Sequence, residues 1–264
     1  MQKHNFTVVT TCSQKGYLEY GKKFLESFHL YNAEIPIIFV QDEQNTQIQR
    51  KDNLEVISNN FCSEIEIFHR KFSHSFSESE FKFSPNRFIY KPTAIVSANN
   101  FLANTNNKYL VWIDADTIFK KSGLLESFER IAPNDGQIAS VFERFQSLNY
   151  LEAGLMIFNR DHSHFNEYIE NCCNIFISGK IFNFMEWHDA FIWSQLMNAY
   201  PPDSFRLLCE EFQIPGSHPI SGFDLLKDKM DHLKGNNKFL GFSPEGRSIL
   251  KNLQSYLINR IQNR

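Results

Sequence analysis

An α/β fold with a mostly parallel central sheet and helices on both faces is predicted by three observations. Residues 6–11 (FTVVTT) form a β-branched apolar run, followed by a small polar break and then Tyr17, Tyr20, Phe24, Leu25, Phe28 and Leu30 at spacings of three and four. Residues 35–40 (IPIIFV) read as a second buried strand, so the chain opens with the strand, helix, strand rhythm that builds parallel sheets. Residues 109–113 (YLVWI) give the strongest strand signal and stop abruptly on charge, at Asp114-Ala115-Asp116. With 264 residues, 42% of them hydrophobic, the chain can bury one full core, and no linker separates two halves.

The remaining elements follow in order. Residues 54–57 (LEVI) predict a third strand at an edge. Residues 59–90 interleave Ser, Glu, Asn and Phe without a clean period, which predicts a partly irregular, Phe-rich excursion that packs over the sheet or lines one wall of a crevice. Pro92 suits the first turn of a helix running to Ala103. A helix from about Ser122, strands over 138–142 and 155–158, helices over 162–177 and 185–197, and a loop-rich stretch over 201–219 complete the body. Ile249, Leu253, Leu257 and Ile261 recur every four residues among Arg247, Lys251, Arg260 and Arg264. They predict a C-terminal amphipathic helix over 247–264 that packs on the body, with peripheral contact to a membrane surface as its other use. The body is then 1–246, with one half over 1–120 and the other over 121–246.

Composition excludes several classes. A formal charge of −3 and a pI near 6.3 provide no basic excess to neutralise a phosphate backbone, so no nucleic-acid partner is expected. Five cysteines, two of them adjacent at Cys172-Cys173, lack metal-type spacing and leave one over from any complete pairing, which fits reduced thiols and a cytoplasmic location. No window approaches the ~20 apolar residues of a spanning helix, and no signal peptide opens the sequence.

Two constellations carry chemistry. Asp114 and Asp116 stand at the carboxyl end of a central strand, where open α/β sheets bind ligands, and residues two apart on a strand share a face. Both carboxylates can therefore approach one hard divalent cation, or the pair can simply end the strand and cap the next helix. Farther on comes Asp231-His232-Leu233-Lys234-Gly235-Asn236-Asn237-Lys238. His232 can complete a metal site, Gly235 lets backbone approach a bound phosphate, and Lys238 supplies a point charge.

An apolar strand ending in DxD, with a later H-x-x-G-x-x-K, resembles the GT-A-fold glycosyltransferases, in particular those similar to glycogenin and the bacterial lipooligosaccharide galactosyltransferases. The resemblance spans the first strand to about residue 240 and implies a nucleotide-sugar donor, favoured as a UDP-sugar, and a glycan, lipid-linked or protein hydroxyl acceptor. It implies Mn²⁺ (or Mg²⁺) held by Asp114, Asp116 and His232, with Asp114, Gly235 and Lys238 reaching the diphosphate through the metal or directly. Thr10 and Thr11 fall where this fold holds the base and ribose, and Arg87 and Lys91 where a basic residue reaches phosphates or sugar. Residues 151–159 (LEAGLMIFN) look like the segment where sugar and acceptor meet, which makes Glu152 a candidate acceptor contact. In Glu186-Trp187-His188-Asp189-Ala190 only Asp189 matches the family's Asp-Gln-Asp, and the run also looks like the Trp-Glu-Asp segment of inverting enzymes. Asp189 is the candidate base or charge stabiliser, with a helix-start carboxylate as its alternative.

Two other classes compete. Haloacid-dehalogenase phosphatases also place Asp-x-Asp after a strand, but they resemble DxDx(T/V), and position 118 here is Ile. A non-catalytic sugar-nucleotide or glycan-binding module need not keep Asp114, Asp116, His232 and Lys238 together.

Overall fold

The computed structural model describes residues 5–42, 48–49, 51–74, 80–144, 150–214 and 218–233. Glu43, Phe76, Gly235, Lys238 and the C-terminal helix expected over 247–264 lie outside the described residues.

The opening rhythm is as expected. Strand β1 (Phe6–Thr11) leads into a helical turn at Gln14–Gly16, capped by Ser13, then a single π-turn at Tyr17–Gly21 and helix α1 (Lys22–Asn32). Strands β2 (Ile37–Gln41) and β3 (Leu54–Ser58) follow. The excursion after β3 is more regular than its composition suggests, because residues 62–72 form helix α2 (Cys62–Phe72). Ile65, Phe68 and Phe72 give this helix an inward stripe at spacings of three and four, with Ile65 and Phe68 buried. Helix α3 (Tyr90–Phe101) begins before Pro92, which still sits in the first turn, where its missing N–H costs nothing.

Strand β4 (Tyr109–Ile113) is followed by a short strand, β5 (Thr117–Phe119), then helix α4 (Leu124–Ile131). Strands β6 (Ala139–Phe142) and β7 (Glu152–Asn159) precede helices α5 (Phe165–Ile177) and α6 (Asp189–Met197). Two more three-residue strands close the series, β8 (Phe205–Leu207) inside the expected loop and β9 (Met230–His232).

The main sheet has seven strands in the order β3-β2-β1-β4-β7-β6-β8, and β5 pairs with β9 in a separate ribbon. Every neighbouring pair in the main sheet is parallel except the two that involve β7. Alternate side chains feed two cores on opposite faces. Val8, Ile37, Phe39, Val111 and Ile113 pack with Phe24 and Phe28 of α1 and Leu124 and Phe128 of α4. Val9, Ile38, Val40, Leu110 and Trp112 pack with α2, α3, α5 and α6 through Phe68, Ile95, Tyr168 and Trp193. No helix among the described residues is long and apolar enough to cross a membrane.

Part of the Phe-rich segment is core. Phe68 has no exposed surface and stacks on Phe182 at 6.0 Å, whereas Phe81 is 53% exposed. Phe68→Ala should cost about 3–5 kcal/mol in urea unfolding, and Phe81→Ala less than about 1 kcal/mol. Equal costs would contradict this division of the segment.

Candidate functional site

Strands β1 to β4 run in parallel, so their carboxyl ends share one edge, the edge at which such sheets bind ligands. Because β7 is reversed, its first residues arrive at that same edge: Ile113 lies opposite Leu155, and the Asp114 N–H donates to the Gly154 carbonyl at 3.0 Å. Asp114 and Asp116 are not consecutive positions on one strand face, as the spacing suggested. They flank a turn that the Thr117 N–H closes on the Asp114 carbonyl at 3.1 Å. The turn releases β5, which pairs antiparallel with β9 so that Thr117 lies opposite His232. A further bond from the Leu233 N–H to the Asp116 carbonyl, 2.9 Å, locks this ribbon and carries His232 onto both aspartates.

The three side chains converge. His232 Nε2 lies 3.1 Å from Asp116 Oδ1 and 3.5 Å from Asp114 Oδ2. One ligand atom from each residue lies within 4.8 Å of the others, and among the described residues this is the one such group of three. Two carboxylates and an imidazole form a donor set that suits Mn²⁺ or Mg²⁺.

Beneath them lies a largely buried lysine. Lys91, in the first turn of α3, places Nζ 2.8 Å from Asp114 Oδ1, 2.5 Å from Asp189 Oδ2 and 2.8 Å from the Ala153 carbonyl, which employs all three of its donors. The ammonium also lies 5.3 Å from the Trp112 ring, and Trp112 Nε1 donates to Asp114 Oδ1 at 2.7 Å. Burial works against the charge on Lys91, but Asp114 and Asp189 outweigh it and hold the ammonium above the ordinary lysine range. Burial likewise works against the Asp114 carboxylate, and Lys91 with His232 reverses that, holding it well below the usual carboxylate range. His232 is also buried, which disfavours the imidazolium, yet Asp116, Asp114 and Glu152 push it up to about 10. These ion pairs set four carboxylates, Asp114, Asp116, Asp189 and Glu152, against two permanent cations, Lys91 and Arg144. Two negative charges are left to His232 and to whatever binds beside it.

The other expected residues are distributed unevenly. Asp189 opens α6, where His188 caps the helix by accepting from the Phe191 N–H at 3.3 Å. With Nδ1 accepting, His188 donates from Nε2 to Glu186 at 2.8 Å, and Glu186 in turn pairs with Lys82 at 2.6 Å. Glu152 stands at the start of β7, beside His232. It is 5% exposed, paired with Arg144 at 3.2 Å, and its Oε1 lies 3.8 Å from His232 Nδ1. Lys91 lies inside α3 rather than ahead of it and holds two carboxylates. Arg87 is exposed and rests 5.8 Å from the Phe81 ring.

Thr10 is fully buried. Thr11 hydrogen-bonds the Val40 carbonyl and Asp42, and Asp42 continues through Asn59 to Thr93 along the carboxyl edge of β1 to β3. Sequence reasoning missed Arg144 and His188. Arg144 carries no sequence signal, while His188 was visible as the residue before a helix-start aspartate.

No protein-family model and no curated protein matches the sequence. Among solved structures, the chain is similar to mouse xyloside xylosyltransferase 1 in its apo form, with 12% identity, a TM-score of 0.46, and coverage of 78% of this chain and 85% of that one. It is also similar to two structures of the glycosyltransferase GlyE of Streptococcus pneumoniae. The apo form has 14% identity and a TM-score of 0.46, the other 13% and 0.47, each covering 78% of this chain and 45% of GlyE.

The raised His232 value gives the metal-free protein a pH dependence of definite sign. His232 is ordinarily near 6.5 and about 10 here, so its stabilisation is complete below pH 6.5 and is lost as pH rises through about 10. In chelator, the difference in urea midpoint between wild type and His232→Ala should shrink steadily across that window. A difference independent of pH contradicts the assigned contacts.

Proposed function

We propose that this chain is a metal-dependent glycosyltransferase that moves a sugar from a nucleotide-diphosphate sugar, a UDP-sugar in preference, to a hydroxyl of a glycan, lipid-linked or protein acceptor. The observation that carries the reading is the convergence of Asp114, Asp116 and His232 at the carboxyl edge of a mostly parallel sheet. A divalent cation held there supplies Lewis-acid stabilisation to a departing nucleoside diphosphate.

The chain's own residues do the rest. Lys91 fixes Asp114 and Asp189 at one distance from each other by bridging them, so the metal-side carboxylate and the candidate reaction-side carboxylate move as one unit. Asp189 either stabilises positive charge developing on the donor sugar or takes the proton of the acceptor hydroxyl. The capped start of α6, fixed by His188 and Glu186, keeps it at the crevice. Thr11 and the Asp42–Asn59 hydrogen bonds shape the edge on which base and ribose rest. Lys238 and Gly235 contribute to the diphosphate as the sequence motif implies.

Purified protein with Mn²⁺ should hydrolyse or transfer from at least one sugar in a panel of UDP-, GDP- and CDP-sugars, and chelator should abolish this. Asp116→Ala should lower the metal-dependent rate by about 100-fold or more. Asp189→Asn should keep donor binding and lose transfer. A panel that neither binds nor turns over with metal present contradicts the proposal.

A further inference from the structure

We infer that Glu152 is a positioning residue for the cation site, acting through His232 by facing the ring nitrogen that does not face the aspartates. The inference rests on Asp114, Asp116 and His232 being that site. Glu152 begins β7 and Gly154 follows two residues later on the same face of the strand. The His232 ring lies directly on Gly154: a Cβ there would come 2.4 Å from Cε1 and 2.6 Å from Nδ1. The ring therefore lies against the β7 backbone, with Nε2 toward Asp116 and Asp114 and Nδ1 toward Glu152 Oε1, 3.8 Å away.

That separation is an ion-pair distance rather than a hydrogen bond. The carboxylate is nonetheless fixed before any ligand arrives. Arg144 Nη1 holds Oε2 at 3.2 Å, the Gly154 N–H donates to Oε1 at 3.3 Å, and the residue is 5% exposed. An imidazole that gives Nε2 to a cation carries its proton on Nδ1, and a negative charge facing Nδ1 favours that tautomer and makes Nε2 a better donor. Arg144, Glu152 and His232 thus form a line leading to the cation position. In this arrangement Glu152 acts through His232, which makes it a positioning residue.

Mn²⁺ binding, followed by the loss of the free-ion EPR signal, tests this in wild type, Glu152→Gln, His232→Ala and the double variant. Glu152→Gln should weaken Mn²⁺ binding by about 10- to 100-fold, and should weaken it less than about twofold further when His232 is already Ala. Unchanged affinity in Glu152→Gln, or an equal loss in both backgrounds, overturns the inference. Unchanged affinity in His232→Ala instead overturns the site itself, so the two failures are distinct. If Glu152→Gln does not fold, long-range ¹H–¹⁵N spectra of wild-type protein with Mg²⁺ decide the matter: His232 protonated at Nδ1 supports the inference, and protonation at Nε2 overturns it.

Discussion

Lys91 Nζ lies within 2.8 Å of both Asp114 and Asp189, and the geometry of the crevice depends on that buried bridge. An ammonium taken out of water is costly unless its hydrogen bonds are all satisfied, and here two carboxylates and the Ala153 carbonyl satisfy them. Removing one partner of such a pair typically costs about 3–5 kcal/mol, because the other charge is left buried. The bridge also joins three elements that are distant in sequence: the start of α3, the end of β4 and the start of α6.

The bridge leaves the site negatively charged. Asp116 and Glu152 face His232 from two sides, with Arg144 behind Glu152. In metal-free protein the imidazolium partly fills the deficit, which is why His232 holds its proton so firmly. In the proposed reading a divalent cation would fill the deficit better and would displace that proton, coupling metal binding to proton release. The reversal of β7 makes this possible, since a parallel strand in its place would bring its last residues, not Glu152 and Gly154, to the crevice. Gly154 then sets how closely the ring can approach.

The elements read well where their burial pattern extends over several residues. β1, β2, β3 and β4 are near-continuous apolar or alternating runs, and each falls where its residues predict. α2 was obscured because the stripe of Ile65, Phe68 and Phe72 runs straight into the Ser- and Phe-rich residues beyond it. β5, β8 and β9 have three residues each, too few for any period, and exist because a partner strand pairs with them. The identities of Asp114, Asp116 and His232 were legible as a motif, but what unites them is the pairing of β5 with β9. Lys91 and Glu152 were legible as a candidate phosphate or sugar contact and a candidate acceptor contact, not by the ion pairs they make. Their roles depend on burial and on partners such as Asp189 and His232, tens of residues away, which no local pattern records.

The proposed site holds a single divalent cation between Asp114, Asp116 and His232. Electron spin echo spectroscopy of one equivalent of Mn²⁺ bound to the protein reads its ligands directly. The account predicts modulation from a single coordinated histidine nitrogen, abolished in His232→Ala. Bound Mn²⁺ without nitrogen coupling, or with coupling that survives His232→Ala, would contradict it.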